Sequence, residues 1–268
     1  MKIGVLGKIS KVKSESIVTD LISFLQELGH ETVRFSSPLN IQDVDLAVIL
    51  GGDGAILHSA VIAAKNGVKI VGINYGNLGF LTEYEKDERE RIQELLTQLE
   101  AGNCRILKRS LLSVEIGGRV YYALNEVAVQ RDNGSLTVKL PQILKLQLQT
   151  HEGTSLVSGD GLLICTPTGS TAYSLSAGGA ILTPEIPVFM TTPICAFSTR
   201  SRPMVFSDTE TFKVSVLRGN AMLMVDGHVV AGLTENEEIT VKKAPFTADF
   251  PVRETSAFLD KVKNKLND

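Results

Sequence analysis

The sequence has few of the residues that mark disulfide-rich or zinc proteins. Its 268 residues include no tryptophan and three cysteines, Cys104, Cys165 and Cys195, which are odd in number and widely spaced. A disulfide framework and a Cys-x-x-Cys metal site are therefore both disfavoured, and a reducing, cytoplasmic location is expected. The four histidines are scattered as well, so their spacing indicates no zinc site.

Long apolar runs and a surplus of positive charge are also missing. No apolar stretch approaches the length of a membrane span, and residues 1–7 enter a strand pattern directly, so we expect no signal peptide. The 27 lysines and arginines are balanced by 30 acidic residues, for a net charge of −3. The sequence therefore lacks the basic footprint of nucleic-acid-binding proteins, and we expect neither nucleic acid nor a membrane as a partner.

The first hundred residues alternate between strand and helix patterns. Strand patterns cover residues 2–7, 31–35, 46–50 and 69–74, and helix patterns cover residues 14–28, 53 to about 66, and 87–101. Such alternation predicts an α/β domain with a parallel, doubly wound sheet. The Gly-x-Gly-x-x-Gly fingerprint and the P-loop spacing are both absent, which disfavours a standard Rossmann dehydrogenase and a P-loop kinase.

The pattern changes at about residue 104 to short alternating runs broken by Gly and Asn turns, which predict an antiparallel all-β domain. Gly117-Gly118 and Gly219-Asn220 each predict the turn of a β-hairpin. A last helix pattern covers residues 255–266, and we expect this helix to return to the first domain. The predicted domains are an α/β domain, residues 1–102 with 245–268, and an all-β domain, residues 103–244.

A glycine-rich loop with a single carboxylate follows the third strand pattern. Gly51, Gly52, Asp53 and Gly54 lie where open α/β sheets bind ligands, and bare amides at a helix N-terminus favour phosphate. Asp53 would repel phosphate. Its presence therefore favours a carboxylate that takes a proton from a hydroxyl, or holds Mg²⁺, beside that phosphate. The alternative is a tight turn in which Asp53 is only a helix N-cap.

Polar residues interrupt the second domain at two places. Asn125 and Glu126 are adjacent in an apolar run, so at least one side chain should face the core or a cleft, unless the segment is a bulge or an edge strand. Further on, Ser170 or Thr171 is expected to cap a short helix, and Tyr173 offers a ring against which a base can lie. A purely structural turn is the alternative there, and the Gly-x-Ser-x-Gly frame of a serine hydrolase is missing.

These motifs together resemble the NAD kinases over nearly the whole chain. The matching strings, in the order of that family, are GGDG at 51–54, GIN at 72–74, NLGFLT at 77–82, NE at 125–126, DG at 160–161 and TPTGSTAY with SAGG within 166–179. The first string alone also occurs in phosphofructokinases and lipid kinases, whereas the last is far more specific. The resemblance implies an α/β domain, an all-β domain and a C-terminal segment that returns to the first.

The resemblance also implies roles for individual residues. Asp53 would be the general base on the 2′-hydroxyl of the adenosine ribose of NAD, and Gly51, Gly52 and Gly54 would hold the phosphate donor. Phe80 would line the adenosine pocket, Asn125 and Glu126 would bind the adenosine end, and Asp160 would face the nicotinamide. The remaining residues that would contact NAD are Gly54, Thr171, Ala172, Tyr173, Ser176 and, more weakly, His228.

Mg²⁺-ATP is the usual donor that this resemblance implies, with polyphosphate in some members. The ion would be carried by the phosphates without a protein cage, with Glu126 as a possible contributor. A homodimer or homotetramer is implied, with sites completed by a neighbouring chain.

The chain departs from the common family pattern at Ala55, Val61 and Tyr75, where many members have Thr, Arg and Arg. These departures leave the donor contacts open. Two other functions stay open at this stage: a lipid kinase of related fold, and a regulator that binds NAD without catalysis.

Overall fold

The computed structural model describes residues 1–7, 14–75, 79–132, 143–253 and 258–266. Asn77 and Leu78 of the motif after the fourth strand, and the predicted helical positions 255–257, lie outside these ranges. The chain forms two compact units: Met1–Arg109 with Phe246–Asp268, and Ser110–Pro245. Among the described residues, no helix combines the length and the apolar character that a membrane span requires.

The first unit contains a parallel sheet of five strands. They are β1 (Lys2–Gly7), β2 (Glu31–Phe35), β3 (Leu46–Leu50), β4 (Lys69–Asn74) and β5 (Tyr84–Glu85), in the order β2-β1-β3-β4-β5. All five residues of β3 are buried, as expected for a central strand that is covered on both faces. The strand order reverses between β1 and β3, which is where sheets of this kind bind ligands. The predicted parallel sheet is confirmed.

Helices lie on both faces of this sheet. The helices of the chain are α1 (Ser14–Glu27), α2 (Asp53–Lys65), α3 (Arg89–Glu100), α4 (Tyr173–Ser176) and α5 (Phe258–Leu266). Leu25 of α1 and Leu95 of α3 share one core cluster with Val71 of β4. The next strand residue, Gly72, faces the other way, and a Cβ there would lie 2.1 Å from Cδ1 of Ile56 in α2. The sheet is therefore wound on both sides, and Gly72 lets α2 pack closely.

The second unit is built from two antiparallel sheets of six strands. The strands are β6 (Arg105–Ile116), β7 (Arg119–Ala123), β8 (Glu126–Arg131), β9 (Leu144–Thr150), β10 (Gly153–Gly159), β11 (Gly161–Cys165), β12 (Val188–Ile194), β13 (Met204–Ser207), β14 (Phe212–Arg218), β15 (Ala221–Val225), β16 (His228–Leu233) and β17 (Glu238–Val252). One sheet has the order β10-β9-β14-β17-β6-β7 and the other β13-β12-β11-β8-β15-β16. Side chains of both sheets, including Phe189 and Phe212, form a shared core. The predicted all-β fold is confirmed.

One of the two predicted hairpins is wrong. The Gly117-Gly118 turn does join paired strands, β6 and β7, and both glycines have positive φ. In contrast, Gly219-Asn220 joins strands of different sheets: β14 pairs with β9 and β17, whereas β15 pairs with β8 and β16. A turn signal between two alternating runs does not distinguish a hairpin from a corner between sheets, because both need the same backbone conformation.

The outer face of the second sheet carries polar residues. Side chains alternate along β8, so Val127 points into the shared core and Glu126 points away from it. Cys165 at the end of β11 lies directly opposite Glu126 in the strand register. Tyr173 of α4 packs on this same outer face, against Ala128 and Leu163. The short α4 segment therefore covers the face on which Glu126 lies.

Candidate functional site

Asp53 occupies the carboxyl edge of the parallel sheet, as the first residue of α2 directly after β3. The N-cap position belongs to Gly52, so the alternative in which Asp53 caps the helix is wrong. Its carboxylate instead accepts two backbone hydrogen bonds: Oδ2 from the N–H of Phe80 at 2.8 Å, and Oδ1 from the N–H of Leu81 at 2.9 Å. Asp53 thus holds the loop that follows β4, and about a third of its side chain (34%) stays exposed.

Gly79 allows this loop to approach Asp53. A Cβ at Gly79 would lie 1.9 Å from Asp53 Oδ1 and 2.9 Å from Thr82 Oγ1, both far inside contact distance. The N–H of Gly79 also donates to Thr82 Oγ1 at 3.2 Å. Glycine is therefore required at this position by crowding. Sequence analysis did not single it out, since the neighbour that demands it is distant in sequence.

Gly52 and Gly54 differ from Gly79 because no described residue crowds them. A Cβ at either position would have no neighbour within 4 Å in the part of the chain that the structure describes. Gly52 has φ −98°, which any residue adopts, and Gly54 is helical. The space beside these two residues is therefore open, as it must be for a ligand to contact backbone amides. Gly51 is tied inward, with its N–H donating to the carbonyl oxygen of Ile73 at 3.0 Å.

The C-terminal helix α5 brings cations and an aromatic ring to this loop. Lys265 Nζ lies 3.6 Å from Asp53 Oδ2 and 4.5 Å from the centre of the Phe80 ring. Lys261 Nζ donates to the carbonyl oxygen of Thr82 and to Glu83, at 2.9 Å each. The ring of Phe258 lies 6.4 Å from that of Phe80. The predicted return of the C-terminal segment to the first unit is confirmed. The helix contacts Asp53 and the loop after β4 that Asp53 holds.

A second cation near Asp53 is enclosed. The guanidinium of Arg109 is buried and lies 5.1 Å from the centre of the Phe250 ring. Burial lowers the pKa of Arg109 to about 10, while the negative charges of Glu83 and Asp53 act in the opposite direction. Sequence analysis identified neither Arg109 nor Lys265, because both come from segments far from residue 53 in the chain.

In the second unit, the backbone at residues 124–126 is held by one buried carboxylate. Asp226, at φ 47°, accepts hydrogen bonds from the N–H groups of Leu124 (2.8 Å), Asn125 (2.8 Å) and Glu126 (3.1 Å). Burial raises the pKa of Asp226 to about 6, although the three amides and His228 lower it. This carboxylate therefore fixes the position of both predicted NAD-contacting residues, a role that local sequence did not indicate.

Glu126 places a buried carboxyl group on the outer face of this sheet. Only 6% of the residue is exposed, and Oε2 has no hydrogen-bond partner within the described ranges. Burial, with the charge of Asp226, raises the pKa of Glu126 to about 8. The carboxyl group is therefore mostly neutral at pH 7 and can donate a hydrogen bond as well as accept one.

The turn before α4 is fastened to residues 124–126. Thr166 Oγ1 donates to the carbonyl oxygen of Leu124 at 2.6 Å, and its N–H donates to that of Asn125 at 2.9 Å. A Cβ at Gly169 would lie 2.1 Å from the same Asn125 oxygen, so only glycine fits there. The hydrogen bonds and the close approach together join the two polar motifs of this unit into one cluster.

The predicted helix cap is wrong. The N-cap of α4 is Ala172, without a side-chain hydrogen bond. Ser170 Oγ instead donates to the carbonyl oxygen of Pro167 at 2.7 Å and accepts from the N–H of Leu182 at 2.9 Å. Thr171 Oγ1 donates to the carbonyl oxygen of Thr168 at 3.2 Å. These hydroxyls stabilise a 3₁₀ turn, Thr168–Thr171, that precedes the helix.

The other predicted residues of this unit divide by exposure. Asn125, Thr171, Ala172 and Tyr173 are half-buried, while Ser176 and His228 are exposed. Asp160 forms an ion pair with Arg131, with Oδ1 and a guanidinium nitrogen 3.1 Å apart. Burial raises the pKa of Tyr173, and the charges of Cys195, Asp160 and Glu126 add to this effect. The structure therefore brings Asp160 and Glu126 within electrostatic range of Tyr173.

The donor set of the protein does not form a metal cage. Within the part of the chain that the structure describes, no group of three or more His, Cys, Asp or Glu side chains could hold a metal ion. Glu126 and Asp226 are a pair of nearby carboxyls, and three backbone amides use three of the four acceptor positions of Asp226.

Family models match most of the chain. The ATP-NAD kinase N-terminal domain matches residues 5–104, and the ATP-NAD kinase C-terminal domain matches residues 124–251. The chain is 31% identical to the NAD kinase of Methanothermobacter thermautotrophicus, over 99% of this chain and 96% of that protein. It is 32% identical to the NAD kinase of Christiangramia forsetii, over 99% and 97%.

Solved structures agree in fold. The crystal structure of an NAD kinase from Archaeoglobus fulgidus in complex with ATP has a TM-score of 0.78 and 26% identity, covering 100% of this chain and 98% of that one. The crystal structure of yeast NADH kinase complexed with NADH has a TM-score of 0.85 at 22% identity, covering 100% and 87%. The second likeness supports the fold alone.

Proposed function

The chain belongs to the NAD kinase family and is an NAD kinase; we propose that Asp53 is its general base and ATP its phosphoryl donor. In this reaction the 2′-hydroxyl oxygen of the adenosine ribose attacks the γ-phosphorus of ATP, ADP leaves, and the hydroxyl proton passes to Asp53. The protein's tasks are to align hydroxyl and phosphate and to accept that proton. The comparisons favour this activity over the lipid kinase and the non-catalytic regulator.

The geometry of Asp53 supports its role as base. Each carboxylate oxygen has more than one acceptor position, and the amides of Phe80 and Leu81 use one position on each oxygen. A ribose hydroxyl can therefore donate to Asp53 while both amides stay bound. The two amides also fix the plane of the carboxylate, which holds the accepting oxygen in one orientation. Phe80, on the same loop, would place its ring against the adenosine.

Gly51, Gly52 and Gly54 are the proposed donor loop. The open space beside Gly52 and Gly54 supports this, because no described residue requires glycine at either position. The first amides of α2 have no acceptor within the helix, and the helix dipole favours negative charge at that end. ATP is the proposed donor because the Archaeoglobus structure contains it. Polyphosphate is the alternative donor that the assay below tests.

The proposed NAD contacts in the second unit centre on Glu126. Its neutral carboxyl, with Oε2 unpaired among the described residues, suits a ribose hydroxyl, which both donates and accepts. Asn125 is held beside it by Asp226. Asp160, near the Tyr173 ring, would face the nicotinamide end. The other proposed contacts are Thr171, Ala172, Tyr173, Ser176 and His228.

We propose Mg²⁺ as the divalent ion, carried by the phosphates of ATP. The absence of a protein cage among the described residues is compatible with such delivery. When bound, the ion neutralises charge on the phosphates during transfer. Glu126 has a carboxyl oxygen without a partner among the described residues, and it is the proposed protein contribution to holding the ion.

The proposed assembly is a homodimer or homotetramer, with sites completed by a neighbouring chain, and the proposed location is the cytoplasm. Cys104, Cys165 and Cys195 are all free thiols, which suits a reducing compartment. Light scattering of the purified protein measures its mass directly. A monomer at assay concentration would contradict the assembly.

The partly exposed Asp53 carboxylate, next to two glycines that no described residue crowds, is the observation that carries the proposed site. The test uses the purified chain with Mg²⁺, NAD or NADH, and ATP or polyphosphate, and measures the phosphorylated dinucleotide. We expect NADP from NAD and ATP, and no product without a divalent ion. Product from polyphosphate but not from ATP would overturn the donor, and undiminished turnover in EDTA would overturn the metal.

A further inference from the structure

The donor loop contains no positively charged side chain that could neutralise a bound triphosphate. Residues 51–64 contain no lysine or arginine, and the one basic residue in the last turn of α2 is Lys65, at the far end of the helix. A triphosphate placed here would lie beside the carboxylate of Asp53. Phosphoryl transfer depends on neutralising that accumulation of negative charge. A cation must therefore come from another part of the chain.

Among the described residues, two cations lie near Asp53, and only one of the two is exposed enough to reach a ligand. The guanidinium of Arg109 is enclosed and lies against the Phe250 ring. Lys265 lies 3.6 Å from Asp53 Oδ2, and 29% of its side chain is exposed. An ammonium group has three N–H donors in different directions, so it can contact a carboxylate and a phosphate at the same time.

The position of Lys265 is fixed on several sides. Its ammonium lies 4.5 Å from the centre of the Phe80 ring, within the range of a cation–π contact. One turn earlier, Lys261 binds Thr82 and Glu83. Lys261 and Lys265 are four residues apart and so lie on the same face of α5. The helix is thereby fastened to the loop that Asp53 holds, and Lys265 is directed at the carboxylate.

We propose that Lys265 is a donor-binding residue: its ammonium contacts the terminal phosphate of the donor while it remains paired with Asp53. The charge missing from the glycine loop is thus supplied by the C-terminal helix. This inference rests on the proposed function of the Asp53 site. The bound class is a polyphosphate chain, and the single cation serves the phosphate and the base together.

The test compares Lys265→Met, Lys265→Arg and the control Lys263→Met in the full chain with Mg²⁺. Lys263 is an exposed lysine on the same helix without a place in the site. For Lys265→Met we expect the KM for ATP to rise by roughly 10- to 100-fold, the effect of one lost charge-assisted hydrogen bond. The KM for NAD should change less than about twofold, since such an effect is below 0.5 kcal/mol. Lys265→Arg should retain most of the ATP affinity.

The outcomes separate this proposal from the function on which it rests. If the unaltered protein makes no NADP, the proposed function fails before Lys265 is tested. If the unaltered protein is active, equal changes in both KM values, or a lower melting temperature with unchanged constants, would show that Lys265 only fastens the helix. An ATP effect of equal size in Lys263→Met would also overturn the proposal. Should Lys265→Met fold poorly, Lys265→Gln must show the same selective rise.

Discussion

Asp53 combines two tasks in one side chain, since the proposed base also holds the loop at Phe80 and Leu81. In Asp53→Asn the amide nitrogen cannot accept a proton or a backbone hydrogen bond. We expect turnover to fall by about 10²–10⁴-fold, the usual contribution of a general base. One loop hydrogen bond should also be lost, which lowers the free energy of unfolding by about 0.5–1.5 kcal/mol. Steady-state kinetics and urea unfolding measure the two effects.

Asp45→Asn is the matched control for this substitution. Asp45 also accepts a backbone hydrogen bond, from the N–H of Lys2 at 2.8 Å, next to the start of β3 rather than its end. The same chemical change there should leave turnover intact. Near-normal turnover in Asp53→Asn, or a comparable loss in Asp45→Asn, would remove Asp53 from the role of base.

The raised pKa of Glu126 predicts that the free energy of unfolding depends on pH. Its pKa is raised to about 8, so the folded state keeps a proton that the unfolded chain loses near pH 4.5. The stabilisation from this group is therefore full below that pH and is lost as the pH rises toward 8. Glu126→Gln stays neutral throughout. Relative to the unaltered protein, this variant should gain stability between pH 5 and pH 8, by roughly 3–4 kcal/mol.

Urea unfolding at pH 5, 6, 7 and 8 measures this difference, and Glu115→Gln is its control. Glu115 is exposed on β6, in the same unit. A difference between Glu126→Gln and the unaltered protein that is constant with pH would mean that Glu126 is charged in the folded state. The proposed neutral contact with a ribose hydroxyl would then be wrong.

At the scale of single residues, the sequence predicted where a functional side chain lies better than it predicted which other side chains contact it. The pattern identified Asp53 as a carboxylate at a ligand-binding edge, and its place after β3 is confirmed. It did not indicate Lys265, Arg109 or the hydrogen bonds of Asp226, because each acts across a long stretch of chain on a residue with which it shares no motif. Long-range contacts of this kind leave no local periodicity, so a single sequence does not reveal them.

Gly79 in the loop after β4 and Gly54 at the start of α2 are glycines for different reasons, so we expect their alanine variants to behave differently. Gly79→Ala puts a Cβ 1.9 Å from Asp53 Oδ1. It should displace the loop and lower the free energy of unfolding by roughly 1–3 kcal/mol, as overpacking does. Gly54→Ala meets nothing within 4 Å and adds a better helix former to α2. It should fold with unchanged or higher stability, by up to about 1 kcal/mol.

Activity distinguishes the two alanine variants further. Gly54→Ala should raise the KM for ATP by about tenfold or more, since the added methyl group occupies space proposed for the phosphates and removes at least one hydrogen bond. Melting curves and steady-state kinetics test both variants. A stable Gly54→Ala enzyme with normal ATP kinetics would contradict the proposed donor loop.

Local pattern predicted most elements and failed at their connections. Four of the five strands of the parallel sheet match their predicted bounds, because continuous or alternating apolar runs report burial directly. The fifth, β5, was not predicted, because two residues are too short to form a pattern. The Gly219-Asn220 corner and the α4 cap were wrong for a shared reason. A glycine turn, or a hydroxyl residue before a helix, shows which backbone conformation is allowed. Whether a hairpin or a helix cap forms depends on the residues that pack there in the folded protein.

At the scale of the whole molecule, the three thiols differ in burial, and this difference predicts the order in which they react. Cys195 is exposed, whereas Cys165 is buried with a pKa raised to about 12, and burial also raises the pKa of Cys104. Because the thiolate is the reactive form, brief maleimide labelling at pH 7 should modify Cys195 first and Cys165 only after unfolding. Peptide mass spectrometry identifies the labelled site. Cys195→Ser should lack the fast reaction, and rapid labelling of Cys165 in native protein would contradict this burial.

At this scale the change in sequence texture near residue 104 predicted two different architectures, and both are present. Two strands, β6 and β17, each begin in one unit and end in the other. The alternation of apolar and polar residues continues through such a strand without a break. A domain boundary predicted from sequence therefore falls between two elements and not within one. The way in which the units share strands is therefore a finding of the structure.

The origin of α5 at the far end of the chain has a consequence for biosynthesis. A ribosome makes Asp53 and its loop long before it makes Lys261 and Lys265, and N-terminal segments generally begin to fold first. The nascent protein therefore completes its glycine loop and its carboxylate while the cations that brace them are still untranslated. A chain truncated before α5 would keep the glycine loop and Asp53 but would lack Lys261 and Lys265, which contact this region in the folded protein.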